Sequence, residues 1–277
     1  MKLDSHQHFW KYDPAQYPWI PQGSPLHRDW LPADLAPLLA SAGLDGCIAV
    51  QARQMVEESR WLLALAAESP IIKGVVGWVD LRNEQVGEQL AEFAANPKFC
   101  GVRHVVQDEP DANFMLGAAF QRGIAQLQHF GLTYDLLIFP SQLPAAISLV
   151  ARFPEQPFVL DHLAKPSIKT GMLSPWREQI RELAQAPNLM CKVSGLITEA
   201  DHGRWKSEDF TPYLDVVAEA FGEERLMYGS DWPVCLLAGS YDRVFALASH
   251  YFSALSSDAK AKIFGGNAGR FYRRRQL

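Results

Sequence analysis

The sequence predicts a single α/β domain closed as a (β/α)8 TIM barrel, and three observations carry that expectation. Eight short apolar runs fit for strands recur along the chain, and helix-periodic runs alternate with them. Near-continuous apolar strands alternating with helices belong to a parallel sheet covered on both faces, and eight units favour closure over an open sheet. The length of 277 residues suits a barrel, which needs about 250. No linker, low-complexity tract or composition break divides residues 1–277, so they are read as one domain.

The first strand lies in Leu3-Asp4-Ser5-His6-Gln7-His8-Phe9-Trp10. Two histidines one residue apart on a strand point to the same face. From 10 to 32 the chain is crowded with aromatics and prolines (Tyr12, Tyr17, Trp19 and Trp30 among Pro14, Pro18, Pro21 and Pro25), which precludes regular structure. Loops beyond about 12–15 residues in compact domains are usually functional or disordered, and the aromatics argue for an ordered flap over the barrel mouth. Leu35, Leu38 and Leu39 then mark a helix that Gly43 stops. Strands are expected at 46–51, 71–79, 100–104, 132–137, 157–162, 189–194 and from 226, and helices at 56–69, 85–95, 114–130, 143–153, 176–186 and 210–221. Residues 256–271 read as short packing helices, one over 258–264, with Gly265-Gly266-Asn267 as a stop.

Composition narrows the partners. With a net charge of −5 and one basic cluster, Arg273-Arg274-Arg275, there is no electrostatic footprint for nucleic acid. No stretch of 18 apolar residues crosses a bilayer, and no apolar leader precedes a cleavage site, so the expected location is cytoplasmic. Cys47, Cys100, Cys191 and Cys235 form no C-x-x-C pair and read as small buried hydrophobes. A small-molecule partner is expected, with a homo-oligomer left open.

A barrel gathers the carboxyl ends of its strands around one pocket. Those positions carry His6 and His8, Gln51 and Arg53, Asp80, Arg103 and His104, Tyr134 and Asp135, His162, Ser194, then Asp231 and Trp232. Three histidines, an aspartate and arginine donors converging from separate strands are costly to bury without purpose. Each also has a structural reading: His162 as a capped core histidine, Arg103 as the partner of Asp80 or Asp135, Asp135 as a partner and not a catalyst.

These residues carry a resemblance. The runs Asp4-Ser5-His6-Gln7-His8-Phe9-Trp10, Gly101-Val102-Arg103-His104 continuing to Pro110, Tyr134-Asp135-Leu136-Leu137, Leu160-Asp161-His162-Leu163-Ala164-Lys165-Pro166, Cys191-Lys192-Val193-Ser194-Gly195 continuing to Ala200, and Gly229-Ser230-Asp231-Trp232-Pro233 span nearly the whole chain. In them the sequence resembles the amidohydrolase superfamily (amidohydrolase family 2), in its branch of sugar-acid and pyrone lactonases. The resemblance implies hydrolysis of an aldonolactone, such as L-fuconolactone or L-rhamnonolactone, to the open-chain acid. The chain departs from metal-bearing members where their fourth strand supplies lysine or glutamate, since Arg103-His104 stand there, so a two-metal site is not expected. Two readings remain open: a single divalent metal, zinc, on His6, His8 and Asp231, or metal-free catalysis.

Lactone hydrolysis needs a polarised carbonyl, an activated water and a stabilised oxyanion. His6, His8 and His162, or a metal they hold, are expected to polarise the carbonyl, with Asp231 as general base. Arg103, His104, Gln51, Tyr134, Trp30 and Trp232 are the expected substrate contacts. A metal-dependent decarboxylase of the same superfamily and a non-catalytic sugar-binding barrel are the alternatives.

Overall fold

In the computed structural model, which describes residues 1–20 and 22–273, eight strands pair in parallel in the order β1 to β8. They are β1 (Leu3–Gln7), β2 (Gly46–Val50), β3 (Ile72–Gly77), β4 (Phe99–His104), β5 (Thr133–Leu136), β6 (Phe158–Leu160), β7 (Leu189–Val193) and β8 (Leu226–Tyr228). The ring closes where Asp231 N donates to His6 O (2.8 Å) and His8 N to Trp232 O (2.7 Å). Around it run α1 (Pro32–Ser41), α2 (Val56–Glu68), α3 (Val86–Ala94), α4 (Ala118–His129), α5 (Leu143–Arg152), α6 (Trp176–Leu183), α7 (Thr211–Arg225) and α8 (Tyr241–Tyr251), then α9 (Ser257–Ala261) and α10 (Asn267–Phe271). Pro21, Arg274 and Arg275 lie outside the described residues.

Three local features differ from the sequence expectation. Helix α8, which the strand count passed over, starts where Ser240 Oγ accepts a hydrogen bond from Arg243 N. The helix expected over 114–130 breaks at Gly117, whose ψ of 134° is extended, into a short 3₁₀ turn and α4. Gly265-Gly266 is not a stop. Gly265 turns there with φ +151°, and a Cβ would stand 2.4 Å from Leu3 N, so only glycine lets this segment pass under β1 and continue into α10.

That passage closes the bottom of the barrel. Ala268 and Tyr272 pack with Leu3, Ile48, Val50, Val76, Cys100, Val159 and Met227 in an apolar lumen layer. A much larger cluster fills the space between strands and helices. All four cysteines are buried and free, and among the described residues no helix is long and apolar enough to cross a membrane.

Strand β1 is irregular in a way that matters. Its register against β2 runs Asp4↔Cys47 and then Gln7↔Ala49, so one extra residue is accommodated between them. Leu3 belongs to the lumen and Asp4 faces outward, where Tyr241 Oη donates to its Oδ2 (3.2 Å). Strict alternation would send His6 outward with Asp4, but the bulge returns it to the lumen together with His8. Asp4 Oδ1 braces the bulge by accepting from His6 N (3.2 Å) and Ser230 N (2.9 Å).

Candidate active site

The imidazoles of His6, His8 and His162 converge with the Asp231 carboxylate at the top of the lumen. His6 Nε2 and His8 Nε2 are 3.3 Å apart. Asp231 Oδ1 lies 3.3 Å from His8 Nε2, 3.8 Å from His6 Nε2 and 3.9 Å from His162 Nε2. Two backbone devices hold them. Asp231 sits at φ +56° in the turn that follows β8, after Gly229 and Ser230, and residues His162, Leu163, Ala164 and Lys165 are all left-handed, with φ between +50° and +57°. Left-handed conformations cost an L-residue roughly 1–2 kcal/mol each, and such strain collects at functional sites. Gly195, at φ +63°, makes room for His162, whose Nδ1 would be 2.4 Å from a Cβ there.

Hydrogen bonds assign the imidazole of His8. Its Nδ1 faces the Val50 carbonyl at 2.8 Å and must donate to it, which leaves Nε2 facing the centre. His162 Nδ1 is held by Ser194 Oγ at 2.9 Å. His6 Nδ1 is flanked by Lys192 Nζ (3.0 Å) and Asp161 Oδ1 (3.3 Å), and Arg103 Nη1 stands 3.2 Å from its Nε2. Burial drives His6 well below the ordinary imidazole range, against the pull of Asp161. It pushes His162 down to about 4, against Asp231 and Asp161, so both rings are neutral near pH 7. Burial works to raise the Asp231 carboxyl, but the imidazoles of His162, His8 and His6 outweigh it and hold the group below the usual carboxylate range. Asp231 is therefore ionised at neutral pH and able to accept a proton.

Beneath this centre lies a second charged layer that the sequence reading did not assemble. Lys192 Nζ donates to Asp135 Oδ2 (2.5 Å) and contacts Asp161 Oδ1 (3.0 Å). Tyr272 Oη, rising from α10, donates to Asp135 Oδ2 (2.8 Å). Arg103 pairs with Asp161 (3.1 Å), neither with Asp80, which pairs with Arg82, nor with Asp135, which pairs with Lys192. Lys192 alternates with Cys191 and Val193 on an otherwise apolar strand, and an inward lysine in a closed barrel was the available signal.

A cavity of about 520 Å³ opens above the centre, reached by His8, Arg103, His162 and Asp231. Its walls also carry Trp19, Arg53, Gln107, Lys165 and Glu199. The other expected contacts do not reach it. Gln51 donates to the Arg103 carbonyl below. His104 is tied to Glu109 (2.6 Å) and stacked on Phe114. Tyr134 is packed edge-on against Phe120 and Phe158. Trp30 and Trp232 meet edge-to-face in the core, 5.0 Å between centroids. Hydrogen bonding holds Gln51 and His104 away from the cavity, and ring packing holds Tyr134, Trp30 and Trp232. The described residues of the flap pack over the barrel mouth, with Trp10 and Trp30 exchanging backbone hydrogen bonds (2.9–3.0 Å), and Trp19 is the aromatic they offer to the cavity.

The donor set suits one divalent metal. Tetrahedral zinc with ligand bonds of about 2.0–2.2 Å places its ligand atoms about 3.3–3.6 Å apart. The spacing of 3.3–3.8 Å among His6 Nε2, His8 Nε2 and Asp231 Oδ1 agrees with that, provided that Arg103 Nη1 gives up the His6 lone pair.

Comparison with known proteins gives a consistent picture. The family model described as Amidohydrolase matches residues 3–274. An L-fucono-1,5-lactonase of Burkholderia multivorans is 45% identical over 98% of this chain and 96% of its own length. A second L-fucono-1,5-lactonase, from Burkholderia ambifaria, is 38% identical over 98% and 95%. Among solved structures, a Burkholderia multivorans amidohydrolase with bound zinc superposes with a TM-score of 0.95 at 45% identity, covering 99% of this chain and all (100%) of that one.

Proposed function

The chain belongs to the amidohydrolase family, and on that premise we propose that it hydrolyses a sugar-acid lactone, an aldonolactone of the L-fucono or L-rhamnono type, to the open-chain acid. The observation that carries the mechanism is the convergence of three imidazole Nε2 atoms and one ionised carboxylate beneath a cavity that His8, His162 and Asp231 line. Near-complete overlap with relatives named L-fucono-1,5-lactonase supports the substrate class.

In this reading a water held beside Asp231 attacks the lactone carbonyl while Asp231 takes its proton. Arg103, a fixed cation at the cavity floor whose N–H groups stay with Asp161, Gln51 and His6, stabilises the oxyanion of the tetrahedral intermediate through its charge, and His162 completes the hole through its Nε2. The carbonyl then re-forms and the ring C–O bond breaks. The proton held by Asp231 passes to the departing ring oxygen, leaving a carboxylic acid and a new hydroxyl; at neutral pH the acid ionises and releases one proton. Burial keeps His6 and His162 neutral, so neither imidazole competes with the substrate as a charged partner for Asp231. A divalent metal held by His6, His8 and Asp231 would polarise the carbonyl as a Lewis acid and lower the pKa of a bound water.

Proton release from a panel of aldono-1,4- and 1,5-lactones tests the reading, on protein as purified and after chelation. The expected result is turnover of at least one L-configured aldonolactone; loss on chelation and recovery with about one equivalent of zinc would put a metal on His6, His8 and Asp231, and turnover surviving chelation would assign the chemistry to the protein groups alone. No turnover of any lactone would overturn it.

A further inference from the structure

The cavity walls differ in what their polar groups are already doing. On the side formed by the loops after β2 and β4, Arg53 Nε is engaged by Glu58 (3.4 Å) and Gln54 Oε1 accepts from Val105 N (2.8 Å), while the neutral Gln107 Oε1 is buried without a hydrogen-bond partner among the described residues. Arg103 is committed to Asp161, Gln51 and His6. The loops after β6 and β7, across the ring of eight strands, present a cation and an anion together. Lys165 Nζ and Glu199 Oε1 face one another at 3.9 Å, beyond hydrogen-bond reach, and among the described residues neither group forms a hydrogen bond to protein. Both line the cavity, and their side chains are only 18% and 23% exposed.

The backbone is arranged to put Lys165 there. Four successive left-handed residues make one turn, in which the Lys165 N–H donates to the His162 carbonyl (2.7 Å). A turn with about three residues per repeat puts positions 162 and 165 on one side, and His162 and Lys165 do both line the cavity. The intervening Leu163 and Ala164 turn into the core, Leu163 accepting from Trp176 Nε1 (2.7 Å) through its carbonyl. Phe139 lies under the ammonium, 5.4 Å from ring centroid to Nζ, and restricts its swing. The same strained turn therefore delivers one residue to the floor and one to the wall.

We infer that Lys165 and Glu199 form the subsite that reads a pair of adjacent hydroxyls on the lactone ring, the ammonium donating to one and the carboxylate accepting from its neighbour. This rests on the lactonase reading and deepens it from a lactone to a polyol lactone. A donor and an acceptor about 4 Å apart, each lacking a protein hydrogen bond, match a vicinal diol, and a ring lacking those hydroxyls leaves both groups half-buried without a partner.

The test compares kcat/KM for an aldono-1,5-lactone with its deoxy analogues, one ring hydroxyl removed at a time, in the wild type and in Lys165→Met and Glu199→Gln. The wild type is expected to favour the fully hydroxylated lactone over two of the analogues by about tenfold or more, and each variant to bring one of those ratios to within about twofold of unity. Because a ratio cancels any general loss of activity, ratios unchanged in both variants would overturn the proposal. Lys165→Arg, which keeps the charge, should retain the preference that Lys165→Met loses. If the wild type opens no lactone, the functional reading falls separately. The subsite is then tested by calorimetric binding of galactitol, where weaker binding by both variants supports it, and absent or equal binding overturns it.

Discussion

The barrel lumen holds two charged layers, one above the other, and they treat their charges differently. In the lower layer Lys192, Asp135 and Asp161 are fully buried (0% exposed) and pair as ions with one another, with Tyr272 sealing them from below. In the upper layer His8, His162 and Asp231 are 3–4% exposed and aim Nε2 and Oδ1 atoms into the cavity. His6 belongs to both: Nδ1 touches the lower network and Nε2 the upper centre. Burial without a partner is expensive for a charge, so the lower layer acts as scaffold, and its closure leaves the upper layer's lone pairs free for chemistry. The difference teaches that buried charge alone does not mark catalysis; a charge with capacity left toward a cavity does.

That contrast is most severely tested by Asp231→Asn. Asparagine tolerates the left-handed backbone at φ +56°, so the fold should stand while proton transfer is lost. Turnover of the preferred lactone is expected to fall by about 10²–10⁴-fold, with the urea midpoint little changed. A loss below tenfold would remove Asp231 from the role of base.

The lower layer should respond in the opposite currency. Lys192→Met leaves Asp135 and Asp161 facing each other without their shared cation. Breaking a buried pair from one side costs about 3–5 kcal/mol, read as a lower urea midpoint. Asp135, which burial already pushes up to about 6 against the pull of Lys192, should then protonate at higher pH still. A stable variant with wild-type midpoint would show that the layer is not the scaffold described above.

The legibility of the sequence follows the same division. The barrel was readable because eight apolar strands in alternation with helices leave few alternatives, and the centre was readable because H-x-H and Gly-Ser-Asp stand at strand ends. The bulge that turns His6 inward was not, since the spacing alone is equally consistent with an unbroken strand. The lower layer escaped because Lys192 lies within its strand, so that Asp135, read at a strand end as a structural partner, was matched with Arg103, and because Tyr272 reaches them from a C-terminal segment far along the chain. Aromatic contacts were misjudged for a related reason. Trp30 and Trp232 resemble sugar-stacking residues in composition, but their partner is each other, and only the packed flap reveals that Trp19 reaches the cavity.

The smallest expected effect is the sharpest test of whether the layers are separable. Tyr272→Phe keeps the ring that plugs the lumen beside Leu3, Ile48 and Met227 and removes only the hydroxyl that donates to Asp135 Oδ2. Asp135 keeps Lys192 as a partner, so the loss is one hydrogen bond to a charged acceptor, about 1.5–3 kcal/mol at most. A chain of contacts nevertheless runs from that hydroxyl through Asp135 and Lys192 to His6 Nδ1. If the lower layer is scaffold alone, the urea midpoint falls modestly while kcat stays within about twofold of wild type. A fall in kcat beyond tenfold with little loss of stability would instead mean that the orientation of His6 depends on the turn that ends α10, and the two layers would have to be treated as one catalytic unit.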